Sequence, residues 1–450
     1  MDTVLPFYLQ KSILDHIKNP IILLKIERVH KIWYNIIHNR ISQSDRWRKL
    51  CLKYIPSNLI CTIVTRSFPR LLITNFKKIS NSNIWYCTFR SYRRWLLKWN
   101  FQINHETIDN LSKESFQPEK ITCTATWDKY FAVGTTKALI YLFNIDDLSE
   151  PFLTIDNEQY LSQITFWYPN KDSRILILVS RSLEKNLKFW NLPNGRNITT
   201  DDYYYSYKAK YLCVGTMNNL FGKYHNVISE YGIVSDKITY KRRIQLHMRD
   251  DNGISVLFSQ ENKLLKLSSD ALSIYQYEIK VPSDDEESLQ FMRRRKSIIS
   301  NIIYPRDDYL YFLLSLKNKQ ITKFYLRKKQ LYYLAEDIAV LVSKNNNCIL
   351  IYDEVEQWKE YNPFEKFTGI ITSAVLHGKT FIFGFHTGEV QIYALKNIEQ
   401  LKLSQLNPDS SIKHQFMKNE PIISLNITET QNKLYIFAST RFKTHIITFF

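Results

Sequence analysis

Ten glycines and six cysteines in 450 residues are few, and each shortage removes a class of function. The cysteines (Cys51, Cys61, Cys87, Cys123, Cys213 and Cys348) stand far apart, with no CxxC pair and no histidine cluster. Neither a metal site nor a disulfide framework is expected from that spacing, and a reducing compartment fits it. No glycine-rich run could cradle a phosphate, and neither HExxH nor GxSxG occurs. The acidic pairs Asp201-Asp202, Asp250-Asp251 and Asp307-Asp308 lie beside turns, where aspartate serves local backbone bonding. Catalytic residues, metals and cofactors are therefore not expected. No apolar run has membrane-spanning length, and Asp2, Lys11, Asp15, His16 and Lys18 interrupt what would be a signal core. Cytoplasm or nucleus is the expected location.

What the chain does have is positive charge, a formal +18. Such a balance suits an anionic partner: nucleic acid, a phosphorylated peptide or an acidic protein surface. The basic residues are scattered along the chain, and that pattern also describes an ordinary solvated surface. The length argues for two or three domains.

The first fifty residues carry a helical period. Pro6 can occupy an early helical position, and Leu9, Ile13, Leu14 and Ile17 then share one face. Asn19-Pro20 stops that helix and opens another, striped by Ile22, Leu23, Ile26, Val29, Trp33, Ile36 and Ile37. Leu24 and Ile32 fall off the stripe, so more than one face is apolar. A third segment, DRWRKLCLKYI (45–55), adds Trp47, Leu50, Cys51 and Tyr54. Three short helices barely bury a core of their own. Surplus apolar residues on them need covering, either by the rest of the chain or by a partner.

The segment LPFYLQKSILDHI, followed by LLKIERVHKIW and then RWRKLC, resembles an F-box, the helical module that docks on the Skp adaptor of cullin-type ubiquitin ligases. Tyr8, Gln10 and His30 depart from residues common in that family. The resemblance covers about a tenth of the chain and implies adaptor contact for Leu5, Pro6, Leu9, Ile13, Leu14 and Leu24.

Residues 56–117 read as a helical linker. Its stretch 80–101 interleaves Trp85, Tyr92, Trp95 and Trp99 with Arg90, Arg93, Arg94 and Lys98. Aromatic and cationic residues in alternation can bind nucleic acid. The favoured alternative is a helix that buries Trp95, Leu96 and Trp99 and leaves its cations in water.

From about residue 118 the period becomes two. YFAVGTTKALIYLFNI (130–145), ILILVSRSLEKNLKFWNLPNG (175–195) and TFIFGFHTGEVQIYAL (380–395) each give strand, turn, strand. Weaker copies at 207–245, 251–281, 298–335, 336–362 and 421–450 complete a repeat of about 35–45 residues. These units resemble degenerate WD repeats. Phe189-Trp190-Asn191-Leu192, Leu142-Phe143-Asn144-Ile145 and Ile392-Tyr393-Ala394-Leu395 stand where that family has its WD dipeptide. The expected fold is mainly β with a small α module: an F-box-like head (1–55), a helical linker (56–117) and a seven- or eight-bladed β-propeller (118–450). A pair of β-sandwiches is the structural alternative. The last strand, THIITFF, is expected to pair with an early strand near 118–126.

In propellers of this kind, the turn between second and third strands of a blade opens on the face where peptides dock. The resemblance places Lys137, Arg181, Lys317, Lys319, His386 and Arg441 there, with Lys443. Cations so placed suit an acidic or phosphorylated target. The implied function is a non-catalytic substrate receptor that reaches a cullin through its Skp-type adaptor. A propeller scaffold outside ubiquitin chemistry and a basic nucleic-acid-binding protein are the readings that compete with it. In the block 281–297, Ser283 and Ser288 are candidate phosphorylation sites and 292–296 a candidate nuclear signal.

Overall fold

The computed structural model describes residues 6–17, 19–27, 29–39, 45–55, 60, 63–64, 66–71, 79–96, 102–109, 119–169, 175–192, 194–199, 207–214, 220–225, 227–234, 237–245, short strands between 257 and 361, and 370–377, 380–394, 411–415, 420–430 and 433–450. The described part is mainly β, with several small antiparallel sheets behind a few N-terminal helices. No described helix is long and apolar enough to cross a membrane.

The helices are α1 (Phe7–His16), α2 (Pro20–Ile26), α3 (Lys31–Asn39), α4 (Arg46–Tyr54) and α5 (Ser82–Leu96). On α5, Ile84, Trp85, Thr88, Phe89, Tyr92 and Trp95 recur every three or four residues, and all are buried. They meet Trp47 of α4, whose ring lies edge-on to Tyr86 at 5.1 Å and 5.9 Å from Phe89. Leu14, Leu23, Leu24, Ile36 and Ile37 close the same core. One charged group sits inside it. Glu27 accepts hydrogen bonds from Arg90 Nε at 2.9 Å and from the Tyr86 hydroxyl. The basic-aromatic stretch of the sequence therefore turns its rings inward where it is described; Trp99 lies outside the described residues.

Among the described residues eight sheets follow, seven four-stranded and one two-stranded. We number them by position: one (121–156), two (161–197), three (211–245), four (257–296), five (310–326), six (329–361), seven (371–415) and eight (424–449). The strands of each sheet are antiparallel and, apart from the outermost strand of sheet eight, adjacent in chain order. The second strands of sheets one, seven and eight read as nearly continuous apolar runs because both faces are covered. In sheet one, five consecutive residues from Phe131 to Thr135 are buried. Neighbouring sheets share cores. Ile140 and Leu142 of sheet one pack with Phe166 and Leu178 of sheet two, and Phe189 of sheet two packs with Leu220 and Tyr231 of sheet three. Sheet seven meets sheet eight through Ile382, Ile392, Leu434 and Ile436.

The last of these sheets also meets the first. Tyr435, Phe437 and Ile446 of sheet eight share a core with Phe131, Val133 and Phe143 of sheet one. The rings of Phe131 and Phe437 stack with centroids 4.3 Å apart.

A strong resemblance among sheets lies in their irregularities. The first strands of sheets one, two and seven each carry a register shift near the start, at Ile121/Cys123, Leu161/Gln163 and Ile371/Ser373. At each shift a hydroxyl answers a second-strand carbonyl: Thr122 to Gly134 and Thr372 to Gly384 at 3.1 Å, and Ser162 to Arg181 at 3.0 Å. A Cβ on Gly134 would lie 2.8 Å from Cys123 Sγ, and one on Gly384 would lie 2.5 Å from Ser373 Oγ. The close approach of the shifted strand accounts for both glycines.

The fourth strand of sheet eight corrects the expected partner of the C-terminal strand. Thr444–Phe449 pairs with Ile103–Ile108, while 121–127 opens sheet one. This edge strand lies within the stretch expected as helical linker. Only Ile108 of its six residues is buried, so it has no alternating apolar pattern to betray it.

Two histidines meet across that seam, His105 Nε2 and His445 Nδ1 at 3.3 Å. Burial, then the neighbouring His105, pushes His445 down from 6.5 to about 4; Asp109 opposes this shift and Lys443 adds to it. Below pH 6.5 the unfolded chain takes up a proton that the folded chain refuses, so stability falls with pH down to about 4. The expected loss over that window is roughly 3 kcal/mol from this residue. Urea unfolding at pH 7, 5.5 and 4.5 checks it, with the decline shrinking in His445→Gln.

Candidate functional site: an apolar helix row and a cationic turn face

Helix α1 begins at Pro6 without a side-chain cap. Gln10 and Leu14 point inward from it. Its outer side presents Phe7, Tyr8, Leu9 and Ile13, exposed by 54, 69, 39 and 45%. Ile22 and Val29 add exposed apolar surface from the following segment. Of the residues implied as adaptor contacts, the structure leaves Pro6, Leu9 and Ile13 at the surface and puts Leu14 and Leu24 in the head's core. Leu5 lies outside the described residues. The period of the sequence could not separate these groups, since α1 and α2 are apolar on several sides and only tertiary packing decides which side is inside. Phe7 and Tyr8 are the surface residues that sequence reasoning passed over.

Some of the surplus apolar surface is covered by the chain itself. The head's core runs on into Ile371, Phe381, Phe383, Phe385 and Tyr393 of sheet seven, and Trp95 enters the core shared by sheets seven and eight. Polar contacts align the two parts. Arg94 donates to the Thr430 carbonyl at 3.0 Å, Ser67 to Glu429 at 2.7 Å, and Thr380 to the Trp95 carbonyl at 3.1 Å. Arg66 meets His377 Nδ1 at 3.1 Å, and the other ring nitrogen of His377 meets Ser91 Oγ at 3.1 Å. Burial, then the charge of Arg66, holds His377 well below its ordinary range, so the ring is neutral and its Nδ1 accepts a hydrogen bond from the Arg66 guanidinium. All these contacts lie at the ends where first and second strands join.

The opposite ends carry the predicted cations. Lys137 lies exposed in the turn between Tyr130–Thr135 and Leu139–Asn144. His386 is exposed in the matching turn of sheet seven, where its Nδ1 accepts the Ile370 N–H at 2.8 Å. Arg441 is exposed in the turn of sheet eight, and its carbonyl accepts the Ile121 N–H at 2.6 Å, which draws this turn beside sheet one. Lys443 reaches Asp109 at 3.0 Å. Arg181 departs from the expected turn position. It belongs to the strand Ile177–Ser182, at the place held by Gly134 and Gly384 in the sister sheets. Its guanidinium is spent on Ser162 Oγ, at 3.1 Å, and the Lys210 carbonyl, where it fastens sheet two to the approach to sheet three. Lys317 and Lys319 lie outside the described residues, as do Ser283, Ser288 and the candidate signal at 292–296 apart from the backbone of Arg295–Lys296.

A polar relay beneath this face was not legible beforehand. In sheet two, Asn157 of the loop before the first strand accepts from Ser180 at 2.5 Å, and Ser180 accepts from Trp190 Nε1 at 3.0 Å. In sheet one a different set of residues is bonded: Glu119, two residues before the first strand, accepts from Thr135 and from Tyr141. The relay joins residues about 30 apart in sequence, and no short motif marks it.

No protein-family model matches the chain, and no curated protein matches it. Among solved structures the chain is similar to the crystal structure of the computationally designed Ika8 protein. The identity is 13% and the TM-score 0.47, over 74% of this chain and 97% of that one, a likeness too distant to bear on fold or function.

Proposed function

We propose that the chain is the substrate-recognition subunit of a Skp–cullin–F-box ubiquitin ligase, non-catalytic in itself. The observation that carries this reading is the exposed apolar surface of α1, uncovered although the head already has a closed core. A row of large apolar side chains on a surface helix suits a partner rather than solvent. On this reading Pro6, Phe7, Tyr8, Leu9 and Ile13 face the adaptor, joined by Leu5, and the adaptor brings the cullin. Leu14 and Leu24 hold the row in place from behind.

The eight sheets are then the blades of a propeller. Two things support this arrangement: the core shared by sheets eight and one, and the recurring strand irregularity. The target docks on the turn face, away from the head. Lys137, His386 and Arg441 there favour an acidic or phosphorylated protein segment. Cytoplasm or nucleus is the compartment where such a ligase works.

Affinity purification with mass spectrometry tests the reading, using the intact chain and a Tyr8→Asp/Ile13→Asp double variant. A Skp-type adaptor and a cullin are expected with the intact chain and lost, at least about tenfold, with the variant; target proteins are expected with both. An intact chain that captures no adaptor contradicts the reading. Leu14→Asp would be uninformative here, because it places a charge in the head's core and disrupts folding.

A further inference from the structure

We propose that the cavity under the head binds a small organic cation with an aromatic body, of the aryl-ethylamine class. The cavity has a volume of about 230 Å³. It lies where residues 66–69 close over the ends of the first strands of sheets one, two, three, seven and eight. At roughly 30 Å³ per water in the liquid it would hold seven or eight waters, below the usual span of drug-sized sites. One ring with a short chain fits that space.

The wall chemistry selects the charge. Trp127 and Tyr168 form one side, their ring centroids 6.0 Å apart, and Trp95 forms another. Aromatic faces attract cations and repel anions. Two carboxylates, Glu429 and Asp128, enter the lining against a single guanidinium, that of Arg66. Glu429 accepts from Ser67 with one oxygen, and its other oxygen, Oε2, is buried without a hydrogen-bond partner among the described residues. Arg70 approaches Asp128 at 3.6 Å and lies over one side of the Trp127 ring at 5.5 Å, but its side chain is 64% exposed, so water screens its charge and an ammonium can displace it. His377 adds no charge, being neutral. An ammonium group therefore finds acidic and π partners, and a carboxylate would find mostly repulsion.

The site touches both the head and the sheets, so its occupancy would tie them together. This consequence does not depend on the ligase reading. The experiment is a calorimetric titration of the full chain with tyramine, 4-hydroxyphenylacetate and p-cresol, which share one ring and differ in charge. Saturable one-to-one binding of tyramine is expected, about tenfold tighter than either comparator. Asp128→Asn should weaken tyramine about fivefold to tenfold while leaving the unfolding temperature of the free chain nearly unchanged, and Trp127→Leu should weaken it as much but also lower that temperature, because the ring packs on the core of sheets one and two. Glu429→Gln should weaken tyramine likewise; if it also lowers that temperature, Asp128→Asn decides. Tyramine heats that never saturate, or an acid bound as tightly as the amine, overturn the proposal.

Discussion

Glu27→Ala is expected to lower the stability of the helical head by about 3–5 kcal/mol, the usual consequence of stranding one partner of a buried pair. The two side chains of the Glu27–Arg90 pair are 3 and 11% exposed. Without Glu27, the Arg90 guanidinium stays in the core with no anion, and the Tyr86 hydroxyl loses its acceptor. That hydroxyl cannot ionise to compensate: burial, then the negative charge of Glu27, drives its pKa far above the ordinary tyrosine value. Glu27→Gln separates the two losses, since an amide oxygen can still accept from Tyr86 but carries no charge for Arg90. The variant should lie between the wild type and Glu27→Ala. Scanning calorimetry of the full chain, with limited proteolysis to locate the loosened part, measures both. A Glu27→Ala protein within about 0.5 kcal/mol of wild type would show that Arg90 finds solvent and that the pair is not structural.

The second large effect concerns the seam between the last sheet and the first. Phe131 and Phe437 are fully buried there. Truncating either to alanine should cost about 3–5 kcal/mol, from lost transfer energy plus the cavity left behind. If the sheets close on one another, the two losses are coupled. The double variant should then be less damaged than the sum of singles by about 0.5–1.5 kcal/mol, the contribution of a stacked aromatic pair beyond burial. Strict additivity in urea unfolding would mean that the rings do not meet in solution and that sheets eight and one are not neighbours. The energetic coupling of residues 306 positions apart reports directly on the topology, because no local element connects them.

How much of this was readable in advance depends on where the determining contacts lie. The sheets were visible because a strand covered on both faces must be apolar over its whole length, as in 130–135 and 380–385. The turn within 380–395 was visible because it holds Gly388, whose left-handed backbone, φ 82°, calls for glycine. The edge strand 103–108 was not, because residues that face water carry no pattern. Arg181 was misplaced for a related reason. Its neighbours Ser180 and Ser182 look like turn residues, yet Ser180 is polar because it serves the relay to Asn157 and Trp190, and Ser182 because it closes the turn to Asn186. On α1 the periodicity announced a helix but not its inner side. Leu14 and Ile13 are adjacent and equally apolar, and only packing against α3 and its surroundings sends one inward and leaves the other out.

Reconstitution from purified components tests most directly the proposal that an adaptor covers this outer side. The intact chain and a purified Skp-type adaptor are mixed and followed by calorimetry and size-exclusion chromatography. A one-to-one complex is predicted, weakened at least about a hundredfold by Ile13→Asp through the burial of an uncompensated charge, with the variant's unfolding temperature unchanged because residue 13 faces solvent in the free chain. No complex with the intact chain, or one that Ile13→Asp leaves intact, would contradict the claim.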